Sequence, residues 1–160
     1  MKKFTSLMAY ILCMITSPLF ATTYTFTGNG AWTDPARWSP SYPGNFILAG
    51  DIVNITSGSI ASISNGTVNI GNNGTINILF NAQLRSATDR TINNMAAGII
   101  NISGALVNNN IIFNQNIINN NGFFDNAGKT FNNLSVFNNG GLATLDNLFN
   151  GIINNSGTFT

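Results

Sequence analysis

The residues of this chain that could do chemistry are few and narrow in type. There is no histidine and no glutamate among its 160 residues. His-based triads, His metal sites and Glu acid–base pairs are therefore excluded. Five aspartates (Asp34, Asp51, Asp89, Asp125, Asp146) remain, with Arg37, Arg85, Arg90 and Lys129 as basic residues beyond the N-terminus. Aspartates with Lys and Arg can cleave sugars, but these are scattered and no two sit in a pair along the chain. Asp125 and Lys129, four apart, read as solvated surface residues. Calcium needs several oxygen ligands, and no Asp-rich calcium-binding repeat occurs. The Gly-rich stretches GNGAW and IGNNGTI are not followed by the Lys-Ser/Thr of a phosphate loop. The expectation is a protein that is not an enzyme, with no catalytic residues, cofactor or metal.

Two residue classes could still recognise a partner. Trp32, Trp38, Tyr24 and Tyr42 cluster in a segment that also holds Pro35, Pro40 and Pro43. Aromatic faces suit stacking on sugar rings, so these four are candidate ligand-binding residues. The competing reading, favoured here, is an N-terminal cap whose aromatics seal a core, with Asp34 and Arg37 in a local ion pair or turn. The second class is amide. Asn108, Asn114, Asn120, Asn126, Asn132 and Asn138 recur at intervals of six.

That interval dictates the elements. From Ile99 the chain divides into IINISG, ALVNNN, IIFNQN, IINNNG, FFDNAG, KTFNNL and SVFNNG. The second place holds Ile100, Leu106, Ile112, Ile118, Phe124, Thr130 and Val136. At about 100° per residue, a six-residue step turns a helix by roughly 240° and forms no stripe. Six is a multiple of two, so in a strand equivalent residues return to one face. Gly or Asn at the sixth place suits corners, because both tolerate positive φ. A short coil cannot bury its apolar side alone, so coils must stack. Stacking at about 4.8 Å brings equivalent asparagines into amide hydrogen-bonding range, a structural ladder. Upstream, GTVNIGNN (Gly66 to Asn73) and GTINILFN (Gly74 to Asn81) form an eight-residue pair. Ala82 to Ala97 is the least regular stretch and reads as a loop leaving the coil. Downstream, Asn150 keeps the phase of Asn138 across a degenerate GLATLD unit, and IINNSG resumes it.

Lys2 and Lys3, followed by an apolar run from Leu7 to Phe20, read as a signal peptide cleaved near Ala21. The run is shorter than the roughly 20 residues of a membrane span and is broken by Thr16, Ser17 and Pro18. Cys13, the only cysteine, lies within it, so the mature chain would have no disulfide. The formal charge is +1 for the whole chain. Without Lys2 and Lys3, four basic residues face five aspartates, leaving −1. With so little charge and no basic cluster, nucleic acid is not an expected partner. The hydrophobic content of 44% argues against disorder.

GNGAWTDPARWSPSYPG followed by AGDIVNI and units such as GIINNSGTF resembles secreted bacterial adhesin-like β-helix proteins. These are of the filamentous-haemagglutinin and autotransporter kind, with similar ones in Bacteroidetes-type bacteria. The resemblance implies a surface, cell-contact or matrix role, with extracellular glycan or surface components as partners. The expected fold is all-β: a single-stranded parallel β-solenoid of undetermined handedness. Residues 1–21 are the signal, 22–50 an aromatic and proline-rich cap, and 51–160 the solenoid repeats. The chain stops inside what reads as a further unit, so the repeats are expected to be incomplete at the C-terminus. The functional expectation is a secreted or cell-surface structural and adhesive module with no membrane span after cleavage. Its alternatives are a glycan-binding module using the N-terminal aromatics and a remnant of a polysaccharide-active β-helix enzyme.

Overall fold

A computed structural model describes residues 21–64, 69–127, 129–148 and 150–160. The expected signal peptide therefore lies almost wholly outside the described residues, as do Gly66, Thr67 and Val68 of the eight-residue pair. The chain begins with β1 (Thr23–Phe26), β2 (Asn29–Ala31), β3 (Trp38–Ser39) and β4 (Phe46–Ile47). Five turns of three strands follow. They are β5 (Ile52–Ile55), β6 (Ile60–Ile63), β7 (Ile70–Asn72); β8 (Thr75–Ile78), β9 (Gln83–Ser86), β10 (Thr91–Asn94); and β11 (Ile99–Ile102), β12 (Ala105–Asn108), β13 (Ile111–Asn114). Then come β14 (Ile117–Asn120), β15 (Phe123–Ala127), β16 (Thr130–Asn133); and β17 (Val136–Asn139), β18 (Thr144–Leu148), β19 (Ile152–Asn155), with β20 (Thr158–Phe159) last. Each strand pairs in parallel with its counterpart one turn away. The result is three parallel stacks. The first face runs β1-β5-β8-β11-β14-β17-β20, the second β2-β6-β9-β12-β15-β18 and the third β4-β7-β10-β13-β16-β19. The fold is a parallel β-solenoid, as the six-residue interval predicts.

Each four-residue strand turns two side chains inward, and their burial alternates with outward neighbours. The first inward residue is apolar and central. Ile76, Ile100, Ile118 and Phe137 stack on the first face, Leu84, Leu106 and Phe124 on the second, and Ile92, Ile112 and Phe131 on the third, all fully buried. Aromatic rings fill the core in the C-terminal turns, where Phe124, Phe131 and Phe137 meet with centroids 4.9 to 5.4 Å apart.

The second inward residue sits at the corner, and here amide replaces hydrocarbon. On the third face this column is Asn72, Asn94, Asn114, Asn133 and Asn155, joined Nδ2 to Oδ1 at 2.7 to 2.8 Å. On the second face it runs from Ile63 through Ser86 to Asn108, Asn126 and Asn147. On the first face Ile55, Ile78 and Ile102 precede Asn120 and Asn139. Asn114 shows how one side chain closes a corner. Its Nδ2 donates to Asn133 Oδ1 and to the Val136 carbonyl at 2.8 Å, while its Oδ1 accepts from Asn94 and from the Asn116 backbone. A buried polar group left unpaired is costly, and the stack leaves this one fully partnered.

The six-residue interval misplaces two of the six predicted ladder residues. Asn108, Asn114, Asn120 and Asn126 are buried at corners as expected. Asn132 and Asn138 instead point outward. One extra residue enters between β15 and β16, so the next corner amides are Asn133 and Asn139. For the same reason Phe131 and Phe137, not Thr130 and Val136, occupy the core positions. Asn150 likewise is no ladder residue: it lies in a turn with φ 65°. The stretch 82–97 does not leave the coil, because β9 and β10 bury Leu84, Ser86, Ile92 and Asn94 in register with their neighbours. Its corners are longer, which hides the interval without breaking the stack.

Replacing Asn114 with Ala should therefore cost about 2–4 kcal/mol, since it strips partners from several buried groups at once. The outward Asn119→Ala should cost about 1 kcal/mol or less. Urea unfolding of both variants checks this; equal midpoints would contradict it.

Candidate functional site

The four predicted ligand-binding aromatics gather at the N-terminal end of the stack. Asp34 caps the short 3-10 turn Pro35–Arg37 by accepting from Ala36 N, and its carboxylate lies 3.4 Å from Arg37 Nε. That turn reverses the chain, so β3 runs antiparallel to β1 and places Trp38 opposite Phe26. Trp32 and Trp38 meet edge to face at 4.7 Å, and Trp38 meets Phe26 at 5.0 Å. Trp32 Nε1 donates to the Gly44 carbonyl and Trp38 Nε1 to the Trp32 carbonyl. Only 1% of Trp32 and 7% of Trp38 is exposed. Both indoles are core, so of the two readings of these aromatics the sugar-stacking platform does not hold for Trp32 and Trp38: their faces are already occupied. Tyr24 and Tyr42 are half-buried against the same cluster. Burial pushes the Tyr42 phenol above its ordinary value, against an opposing hydrogen bond with Trp32. Residues 23–47 also supply β1, β2 and β4, one strand to each face, so this segment lies on β5–β7 as an irregular turn of the coil.

The outward surfaces differ in character. On the first face, Asn54, Asn77, Asn101, Asn119 and Asn138 form a second amide ladder at 2.8 to 2.9 Å, half-exposed and ending on Thr160 Oγ1. Beside it runs a column of Ile52, Thr75, Ile99, Ile117 and Val136. Two more outward amides, Asn132 and Asn154, pair on the third face at 2.9 Å. The Asn132 and Asn138 of the six-residue series thus do form ladders, but on the outside.

Charge collects on the second face. Asp125 of β15 and Asp146 of β18 are register partners one coil apart. The two are distant in sequence, so spacing alone does not reveal them, and the expectation that no aspartates pair is corrected. Burial first, and the Asp146 carboxylate second, raise the Asp125 carboxyl above its ordinary value. Asp125 Oδ1 is buried without a hydrogen-bond partner. The other aspartates do local structural work. Asp51 Oδ1 accepts from Thr22 N at 2.9 Å, and Asp89 lies 3.0 Å from Arg90.

No protein-family model, no curated protein and no solved structure matches this chain. The chain is an asparagine-laddered β-solenoid. Among the described residues of this solenoid, no helix is long and apolar enough to cross a membrane.

A carboxyl with a raised folded-state value favours folding below its ordinary value and loses that contribution as pH rises through the raised one. Asp125→Asn should therefore stabilise the solenoid at pH 7 by about 0.2–1 kcal/mol, the scale of a like-charge pair across neighbouring strands. The gain should vanish below the ordinary carboxyl value of 3.8. Thermal melts across pH check it; a difference that does not change with pH would contradict it.

Proposed function

We propose that this solenoid is a non-enzymatic structural and adhesive module exported to the cell surface or medium, of the bacterial adhesin-like β-helix kind. The observation that carries the reading is the third-face amide column, continuous from Asn72 to Asn155 through five turns. A column of this kind ties each turn to the next along the axis, in addition to the backbone bonds between strands. The product is a stiff rod with polar, laterally repeated faces, suited to spanning and presenting. Such a rod needs no disulfide, which fits a chain whose only cysteine lies in the expected signal. Its partners are extracellular glycans or surface and matrix components, and it needs no cofactor.

The N-terminal segment supplies the direct test. Expressed from its full coding sequence in a Gram-negative bacterium, the protein should leave the cytoplasm and lose the residues up to about Ala21. Mass spectrometry of the fractionated product reads both. A cytoplasmic product that keeps Lys2 and Lys3 would contradict export and with it the surface role.

A further inference from the structure

The corner between the first and second faces is uneven along the stack. Four residues, Leu79 to Ala82, join β8 to β9, and four more, Gly140 to Ala143, join β17 to β18. Between them the corners β11–β12 and β14–β15 take only two residues each, Ser103-Gly104 and Asn121-Gly122. Beside the wide Leu79–Ala82 corner, the two tight corners leave a notch that spans about two coil spacings, roughly 10 Å. Close stacking of the coils requires glycine at both tight corners. A Cβ on Gly104 would lie 2.2 Å from the Ala82 carbonyl oxygen, and one on Gly122 would lie 2.2 Å from the Gly104 carbonyl oxygen.

The notch is an open depression of about 320 Å³ lined by Phe80, Asn81, Gln83, Ser103 and Phe123 among others. That volume sits at the small end of ligand pockets. Tight stacking explains the two glycines but not Phe80, a large apolar residue left 70% exposed at its corner. The lining residues carry two phenyl rings, side-chain amides and a hydroxyl; Gln83 Oε1 accepts from Arg85 Nε at 2.7 Å, which leaves its Nε2 as the donor toward a ligand. A neutral ring with one apolar face and a hydroxylated edge matches this set: the apolar face lies on phenyl and the hydroxyls reach Gln83, Asn81 and Ser103.

We propose that this notch is a subsite for one pyranose unit of a neutral glycan. Sugar recognition thus lies at a corner of the rod rather than on the buried indoles. The proposal adds a ligand to the rod and does not depend on its export: a folded rod that binds no glycan ends this proposal alone, and a cytoplasmic product ends only the surface role.

Affinity electrophoresis of the full chain through native gels containing dextran, galactomannan or mixed-linkage β-glucan tests it. At least one neutral polymer should retard the protein, equally at low and high salt because the polymers carry no charge. Phe80→Ala should weaken the retardation about tenfold, whereas Phe46→Ala, which removes a phenyl exposed on the third face, should leave it intact. Phe80→Leu keeps an apolar side chain without the flat face and should fail like Phe80→Ala, which separates stacking from folding. Gln83→Ala should weaken binding to a smaller degree. Free passage through all three neutral gels, wild-type retardation of both Phe80 variants, or retardation only by a charged polymer and only at low salt would each overturn the proposal.

Discussion

The structure depends on a single constraint: an amide buried at a corner must find partners for two donors and an acceptor inside the protein. One asparagine alone cannot meet it. A column of them can, because each Nδ2 reaches the Oδ1 of the next turn and a backbone carbonyl beyond it, as Asn94 does with Asn114 and Ile117. The Oδ1 then takes the backbone N–H two residues on, as Asn120 does for Gly122, and so shapes the turn that starts the next face. The same side chain therefore satisfies itself, closes the corner and locks the register. An aspartate of the same length would bring repelling charges one coil apart and lose the Nδ2 donor, and an aliphatic residue would leave the corner carbonyl without its donor. Isoleucine does occupy the early corners of the first face, Ile55, Ile78 and Ile102. Two of the corners that follow them, Thr56–Ser59 and Leu79–Ala82, are longer and supply backbone turns of their own.

Inner and outer ladders run in opposite senses. Inside, Nδ2 groups point toward the C-terminal turns, from Asn72 to Asn94 to Asn114 to Asn133. On the first face outside, they point the other way, from Asn138 to Asn119 to Asn101 to Asn77 to Asn54. The amide dipoles of the two sets oppose one another along the rod. Only the inner set is tied to backbone carbonyls. The inner columns therefore bear on stability, while the outer one gives the first face an uncharged and regular polar surface.

Much of this was legible in the residues. The interval of six requires strands, and the apolar second place from Ile100 to Phe124 locates the core without error. The interval then misleads, because asparagine is common on both sides of the strands. When one residue enters after β15, Asn132 and Asn138 continue the count while the buried column passes to Asn133 and Asn139. Upstream, Ser86 and Asn94 belong to the columns but are separated from their neighbours by longer corners, and an interval of six does not detect them. Function was less legible, for a related reason. The Asp125–Asp146 pair exists only through register one turn of the coil apart, and the Phe80 notch through register across two turns, and the length of that turn varies. For Trp32 and Trp38 composition leaves both a cap and a sugar platform open, because it does not reveal that the two indoles pack edge to face.

The most direct test of this account is hydrogen exchange at the asparagine side chains, followed by NMR. The Nδ2 protons of Asn94, Asn114 and Asn133 should be protected as strongly as the backbone amides of the core strands, opening only when the coil unfolds. Those of the outward Asn101 and Asn119 should exchange far faster. If the two sets exchanged alike, at the rate of solvated amides, the buried columns would not be what holds the turns together.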